Sequence, residues 1–233
     1  MYLIGLTGSI GMGKSATAIL FQQAGVPVYD ADAAVHALYE KGGAAVAPIG
    51  ALVPAAIIDG AVDRTILGQH VLKDVDKLKA LEAIVHPLAG QSQFDFLSQA
   101  QADKAPAVVL DIPLLFETGG EAFVDCVVVV SAPFEMQKQR VLARAGMSEE
   151  RFNDILAKQV PDEDKRAKAD FIVDSAISIE DARTQVHAIL EAIKGRVGHA
   201  FEARMARFKA RSDTGSGNDS GTAPNASPKG PPE

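Results

Sequence analysis

The run Gly8-Ser9-Ile10-Gly11-Met12-Gly13-Lys14-Ser15 constrains this chain more than any other stretch. It fits the pattern G-x-x-x-x-G-K-[ST] at every position. The apolar segment Tyr2-Leu3-Ile4-Gly5-Leu6 precedes it and reads as a buried strand. Residues 16–23 follow and read as a helix, with Ile19, Leu20 and Gln23 close to the 3.6-residue period. A glycine-rich loop between strand and helix wraps tightly and turns successive N–H groups inward. The helix contributes its unpaired first-turn N–H groups and the positive end of its dipole. Lys14 brings a mobile cation to the β- and γ-phosphates, and the Ser15 hydroxyl is a ligand for Mg²⁺. The stretch predicts a nucleoside triphosphate site over Gly11, Met12, Gly13, Lys14, Ser15 and Ala16. It leaves the phosphoryl acceptor open.

Composition narrows the class. The 233 residues, 47% hydrophobic and 23% charged, suit one α/β domain with insertions. A net charge of −7 argues against a broad nucleic-acid-binding face. The lone cysteine, Cys126, has no partner for an internal disulfide and lies in an apolar run, as a buried small hydrophobe would. No apolar run approaches the roughly 18 residues that span a bilayer, and the N-terminus enters a strand at once with no leader. A soluble cytoplasmic protein is the expectation.

Beyond the loop helix, Gly25 gives a stop and Val26-Pro27-Val28-Tyr29 a second strand, which finishes in Asp30-Ala31-Asp32. Ligands of open α/β sheets sit at the carboxyl ends of strands. One of these carboxylates can take a proton from a substrate hydroxyl or hold the water shell of Mg²⁺, and the other caps the next helix. Asp32 is preferred for chemistry. From Lys41 to Gln101 the pattern is helical, with a turn at Asp59-Gly60 and an interruption expected at His86-Pro87. So long an insertion between strands reads as an acceptor-binding subdomain or as a long crossover. Residues 107–111 return to the sheet as an apolar strand ending in Asp111, placed to assist a metal. Ile112-Pro113-Leu114-Leu115-Phe116-Glu117 then reads equally as a ligand wall or as a buried extension.

Residues 124–130 form another wholly apolar strand, so the sheet is parallel and covered on both faces. The helix after Pro133 carries Arg140 and Arg144 at i, i+4, on one face. A second helix starts at Ser148-Glu149-Glu150, and Pro161 opens a charged run. Together these suggest a lid that lends guanidinium groups to a triphosphate, although Arg151 and Arg166 serve equally as solvated surface. A short strand at 171–173, two more helices and a tail of Gly, Ser, Asn, Pro and Thr complete the chain.

These residues carry a resemblance. The segment Gly5 to Ser15, then Asp30-Ala31-Asp32, Asp59-Gly60 with Asp63-Arg64, His86-Pro87, Pro113-Leu114-Leu115-Phe116-Glu117 and the helix around Arg140 occur in the order found in the dephospho-CoA kinase family. That group shares the fold of the nucleoside-monophosphate kinases. The resemblance implies a three-layer α/β P-loop kinase fold with a five-stranded parallel sheet. It implies a nucleotide-binding core over 1–32, 105–139 and 167–195, and a CoA-binding helical subdomain over 33–104. A lid over 140–166, a C-terminal helix over 196–211 and a disordered tail over 212–233 follow. The implied reaction is ATP-dependent, Mg²⁺-assisted phosphorylation of the ribose 3′-hydroxyl of dephospho-CoA, giving CoA and ADP.

By the same resemblance Asp32, Lys14 and Arg140 are catalytic and Arg144 joins the ATP site. Thr7, Asp32, Arg64, His86, Leu114, Phe116 and Glu117 would bind the acceptor. A monomer or weak homo-oligomer is expected, with no nucleic-acid or membrane partner. Two positions depart from the family pattern: Ala16 stands where Thr is frequent, and Asp174-Ser175-Ala176 replaces an Asn-x-Gly-like segment near the adenine. Other kinases of the fold remain the main alternative. A GTP switch would need an Asn-Lys-x-Asp segment, and a transport ATPase a Leu-Ser-Gly-Gly-Gln segment; neither is present.

Overall fold

In the computed structural model, residues 1–214 are described. Five parallel strands form the central sheet: β1 (Tyr2–Thr7), β2 (Val28–Asp30), β5 (Ala107–Asp111), β6 (Cys126–Ser131) and β7 (Phe171–Asp174). Their spatial order is β2-β5-β1-β6-β7. Strands β1, β5 and β6 are buried along their whole length. That is why they lack the polar alternation of a half-exposed strand. The register pairs Asp30 with Asp111 and Asp111 with Leu6. Two carboxylates and the start of the phosphate loop are thereby brought to one edge of the sheet.

Both faces are covered. One core joins Ile4, Leu6, Val109 and Val128 to Phe21 of α1 (Lys14–Gln23) and to Val186 and Ile189 of α9 (Ile179–Ile193). On the other face Leu3, Val108 and Leu110 meet Leu97 of α5 (Val75–Ala102) and Phe201 of α10 (Ala200–Thr214). Each side chain so buried stabilises the fold by roughly 1.5–3 kcal/mol. Cys126 belongs to the first core, and burial pushes its thiol up to about 12.

Between β2 and β5 lie α2 (Ala31–Tyr39), α3 (Val46–Leu52), α4 (Arg64–Val71) and α5, with a small core of their own around Ile49, Val53, Leu67 and Val85. The structure adds a hairpin not expected there: β3 (Ile57–Ile58) pairs antiparallel with β4 (Ala61–Val62) across the Asp59-Gly60 turn. The interruption expected at His86-Pro87 does not occur. Helix α5 runs through Pro87. Pro87 and Ala83, whose carbonyl loses its partner, both lie on the exposed side, where water can satisfy it.

After β6 come α6 (Phe134–Leu142), α7 (Glu149–Leu156, capped by the Ser148 side chain) and α8 (Asp162–Ala167). Helix α10 continues to Thr214, past the expected end of the C-terminal helix at 211. Most of the tail expected to be disordered, residues 215–233, lies outside the described residues. Among the described residues no helix is long and apolar enough to cross a membrane.

Candidate active site

Residues 8–15 curl at the carboxyl end of β1 and run directly into α1. Gly11 sits at φ +80, and a Cβ there would stand 2.5 Å from Val141 Cγ2 and 3.0 Å from the Gln137 carbonyl, so only glycine fits. Gly13, at φ +92, occupies the cap position of α1 and leaves the first-turn N–H groups free of any side-chain cap. That is the arrangement an anion needs.

The loop is tethered on several sides. Gln137 Nε2 donates to the Ile10 carbonyl at 2.8 Å, and Ile10 N–H donates to Gln159 Oε1 at 3.1 Å. The Met12 side chain is buried, its sulfur accepting from Ala132 N–H at 3.1 Å, so only its backbone serves the loop. Ser175 Oγ donates to the Met12 carbonyl at 2.7 Å. Sequence reasoning passed over Gln137 and Gln159, because an isolated Gln far along the chain gives no periodic or motif signal, whereas Ser175 lies in the 174–176 segment that departs from the family pattern.

The loop frames a cavity of about 400 Å³ whose wall also includes Asp32, Pro113, Arg144 and Gln159. Lys14, Ser15, Ala16, Asp32 and Arg144 thus come together around one space. Asp30 does not join them: its Oδ1 accepts from Ala33 N–H at 2.9 Å and caps α2, while Asp32 falls in the first turn of that helix. At the floor, Lys14 Nζ meets Asp111 Oδ1 at 2.6 Å. Asp111 is 2% exposed, and burial raises its pKa; Lys14 opposes that shift, while the charges of Asp30 and Asp32 add to it. The floor therefore holds concentrated negative potential balanced by a single lysine.

Arg140 takes a different position from Arg144. Its Nη1 and Nη2 donate to Ser175 Oγ and the Ser175 carbonyl at 2.9 and 2.8 Å. It lines a neighbouring cavity of about 350 Å³ with Ala16, Ser175 and Ala176.

Several expected acceptor residues are not at the cavity. Thr7 is fully buried, with its hydroxyl on the Pro113 carbonyl at 3.0 Å. Phe116 is 8% exposed and packs with Leu115, Val127 and Val129, so Leu115 and Phe116 are buried extension rather than ligand wall. Leu114 is 44% exposed, and Pro113 beside it lines the loop cavity. Glu117 turns inward: Oε1 accepts from Val160 N–H at 2.8 Å and pairs with the wholly buried Lys165 at 2.8 Å. Burial alone would raise the Glu117 pKa, but Lys165 and the backbone donors outweigh it and hold it below the usual value. Arg64 and His86 are exposed on α4 and α5, away from the loop cavity.

A family model described as dephospho-CoA kinase matches residues 2–181. The dephospho-CoA kinase of Mesorhizobium japonicum is 54% identical over 198 residues, covering 85% of this chain and 100% of that protein. That of Bradyrhizobium diazoefficiens is 55% identical over 195 residues, 83% and 97% of the two chains. The crystal structure of TT1252 from Thermus thermophilus is 38% identical, with a TM-score of 0.71 over 83% of this chain and 98% of that one.

Proposed function

The chain belongs to the dephospho-CoA kinase family, and on that premise we propose how its residues share the ATP-dependent phosphorylation of dephospho-CoA to CoA. The observation that carries the assignment is the convergence of Lys14, Asp32 and Arg144 on the cavity framed by the phosphate loop. Phosphoryl transfer needs positioning and charge neutralisation more than covalent chemistry.

The loop N–H groups and the start of α1 hold the β- and γ-phosphates. Lys14 exchanges Asp111 for the phosphates when ATP binds and follows the charge of the moving group. Asp32, uncommitted to the cap that occupies Asp30, orients the 3′-hydroxyl and accepts its proton. Arg144 supplies the lid cation. Arg140, committed twice to Ser175, positions the 174–176 segment against the loop, on the side where the adenine sits. Residues 33–104 hold the acceptor, with Leu114 at its edge, and 140–166 act as the lid.

Mg²⁺ fits this donor set. Ser15 is exposed at the first turn of α1, and when Lys14 leaves Asp111 the carboxylates at the floor require another cation. Among the described residues no cluster of three His, Cys, Asp or Glu would cage a metal unaided, in keeping with an ion held largely by water and phosphate oxygens. When bound, it neutralises charge between the β- and γ-phosphates.

A coupled assay for ADP, with dephospho-CoA, AMP, CMP and shikimate offered separately, tests the reading. Turnover with dephospho-CoA alone is expected. Faster turnover with any of the other three overturns it.

A further inference from the structure

On the flank of the sheet, α5, α10 and the short turn at Gly120–Phe123 frame a third cavity, of about 250 Å³. Its wall includes Gln93, Phe94, Phe123, Arg204, Arg207 and Phe208. Arg204 Nε donates to the Phe123 carbonyl and its Nη1 to Gln93 Oε1, both at 2.6 Å. The Arg207 guanidinium lies 4.7 Å from the centre of the Phe123 ring, and that of Arg204 lies 5.9 Å from it. Phe94 and Phe208 stack at 4.3 Å.

Two cations thus share one aromatic ring, and among the described residues neither has a carboxylate within ion-pair distance. Burial, with repulsion from Arg207, lowers the Arg204 pKa to about 10, so it remains charged at neutral pH. Its bonded acceptors are both neutral, and its Nη2 amine has no partner among the described residues. Holding α10 in place requires only a neutral donor to the Phe123 carbonyl. A partly desolvated guanidinium beside a second one is costly unless an anion compensates it. The fork geometry of arginine suits the oxygens of a phosphate, and the rings beside it suit an apolar or planar remainder.

We propose that this pocket binds the phosphate group of a phosphorylated small molecule. The family model ends at residue 181, so α10 and both arginines lie outside it. The pocket is nevertheless near the acceptor side. Its α5 wall includes Gly90, next to Ala89, whose carbonyl accepts from Tyr29 Oη, and the 120–123 turn follows closely on the Leu114–Glu117 segment. Two sources share the required chemistry: the diphosphate of dephospho-CoA itself, or a separate phosphometabolite. A binding test needs no turnover, so it stands or falls apart from the phosphoryl-transfer reading.

The experiment titrates inorganic pyrophosphate into the ¹⁵N-labelled full chain and follows the Arg204 Nε–H resonance alongside the loop glycine amides. A saturable shift of Arg204 is expected, weakened about tenfold or more in Arg207→Ala, the loss of one charge-assisted contact. Arg207 is exposed, so the variant keeps its fold, and Arg204→Gln with a thermal-melt control gives a second reading. If the acceptor is the source, Arg207→Ala also raises the KM for dephospho-CoA about tenfold, with kcat and the KM for ATP unchanged. If a separate metabolite is the source, the kinetics stay the same while pyrophosphate binding is lost. An Arg204 resonance unmoved by millimolar pyrophosphate and by dephospho-CoA, or moved equally in Arg207→Ala, overturns the proposal.

Discussion

The phosphate loop and the helices that insert between β2 and β5 differ in what holds them. The loop is fastened by Gln137, Gln159, Ser175 and the Met12 sulfur, bonds that arrive from elements on several sides. Helix α2, which carries Asp32, has no fully buried residue, and its neighbours rest on a separate small core. The donor site is therefore preformed from backbone, whose geometry tolerates no drift. The inserted helices instead pack on a core of their own, around Ile49, Val53, Leu67 and Val85. Substitutions at the loop should strike kcat, and those in the inserted helices should strike acceptor KM.

Lys14→Ala should have the largest effect. It removes the cation proposed to follow the phosphoryl group and leaves Asp111 buried without its partner. A fall in kcat of about 10³-fold is expected, at the upper end of what one preorganised charge contributes. The dephospho-CoA KM should stay near its original value in steady-state kinetics. An equal effect on KM would mean that donor and acceptor halves are not separately built.

Next comes the contact between α8 and the segment that follows β5. Lys165→Met leaves Glu117 without its cation and should cost about 3 kcal/mol in a denaturant melt. Glu117 also carries a pH signature. Its folded-state pKa lies below the unfolded value, so its contribution is present above the usual carboxylate range and is lost as pH falls through the depressed value. Thermal melts across the acid range should show that loss in the parent chain and a smaller one in Lys165→Met. Identical acid profiles would place the stabilisation elsewhere.

The same contrast explains what could be read in advance. The loop was legible because residue type alone dictates it: glycines where φ is positive or space is absent, and a lysine at the mouth. The parallel sheet was legible because β1, β5 and β6 are apolar at nearly every position. The inward turn of Phe116 and Glu117 was not legible, because an apolar run at a strand end looks the same whether it faces ligand or core, and Lys165, the partner of Glu117, lies far along the chain. Pro87 was read as a break because sequence does not show that its side of α5 faces water. The Arg204–Arg207 pocket was invisible for a similar reason, since its aromatic floor comes from three separate segments.

Asp32→Asn acts where the end of β2 passes into α2. Asparagine keeps size and hydrogen bonding but cannot take the proton, so kcat should fall about 10²-fold with little change in stability. Near-normal turnover would remove Asp32 from the mechanism.

Asp30 supplies the smallest effect and the strictest control. It stands two residues away, pairs in register with Asp111, and is spent on the Ala33 N–H. Asp30→Ala should cost about 1 kcal/mol through the lost cap. Asp30→Asn should restore that stability, because asparagine caps as well as aspartate. Both variants should retain far more activity than Asp32→Asn, since neither touches the group that faces the cavity. The pair separates capping from chemistry within one turn of helix: a kcat loss in Asp30→Asn as deep as that in Asp32→Asn would mean that charge at this strand end, rather than one positioned base, drives the transfer.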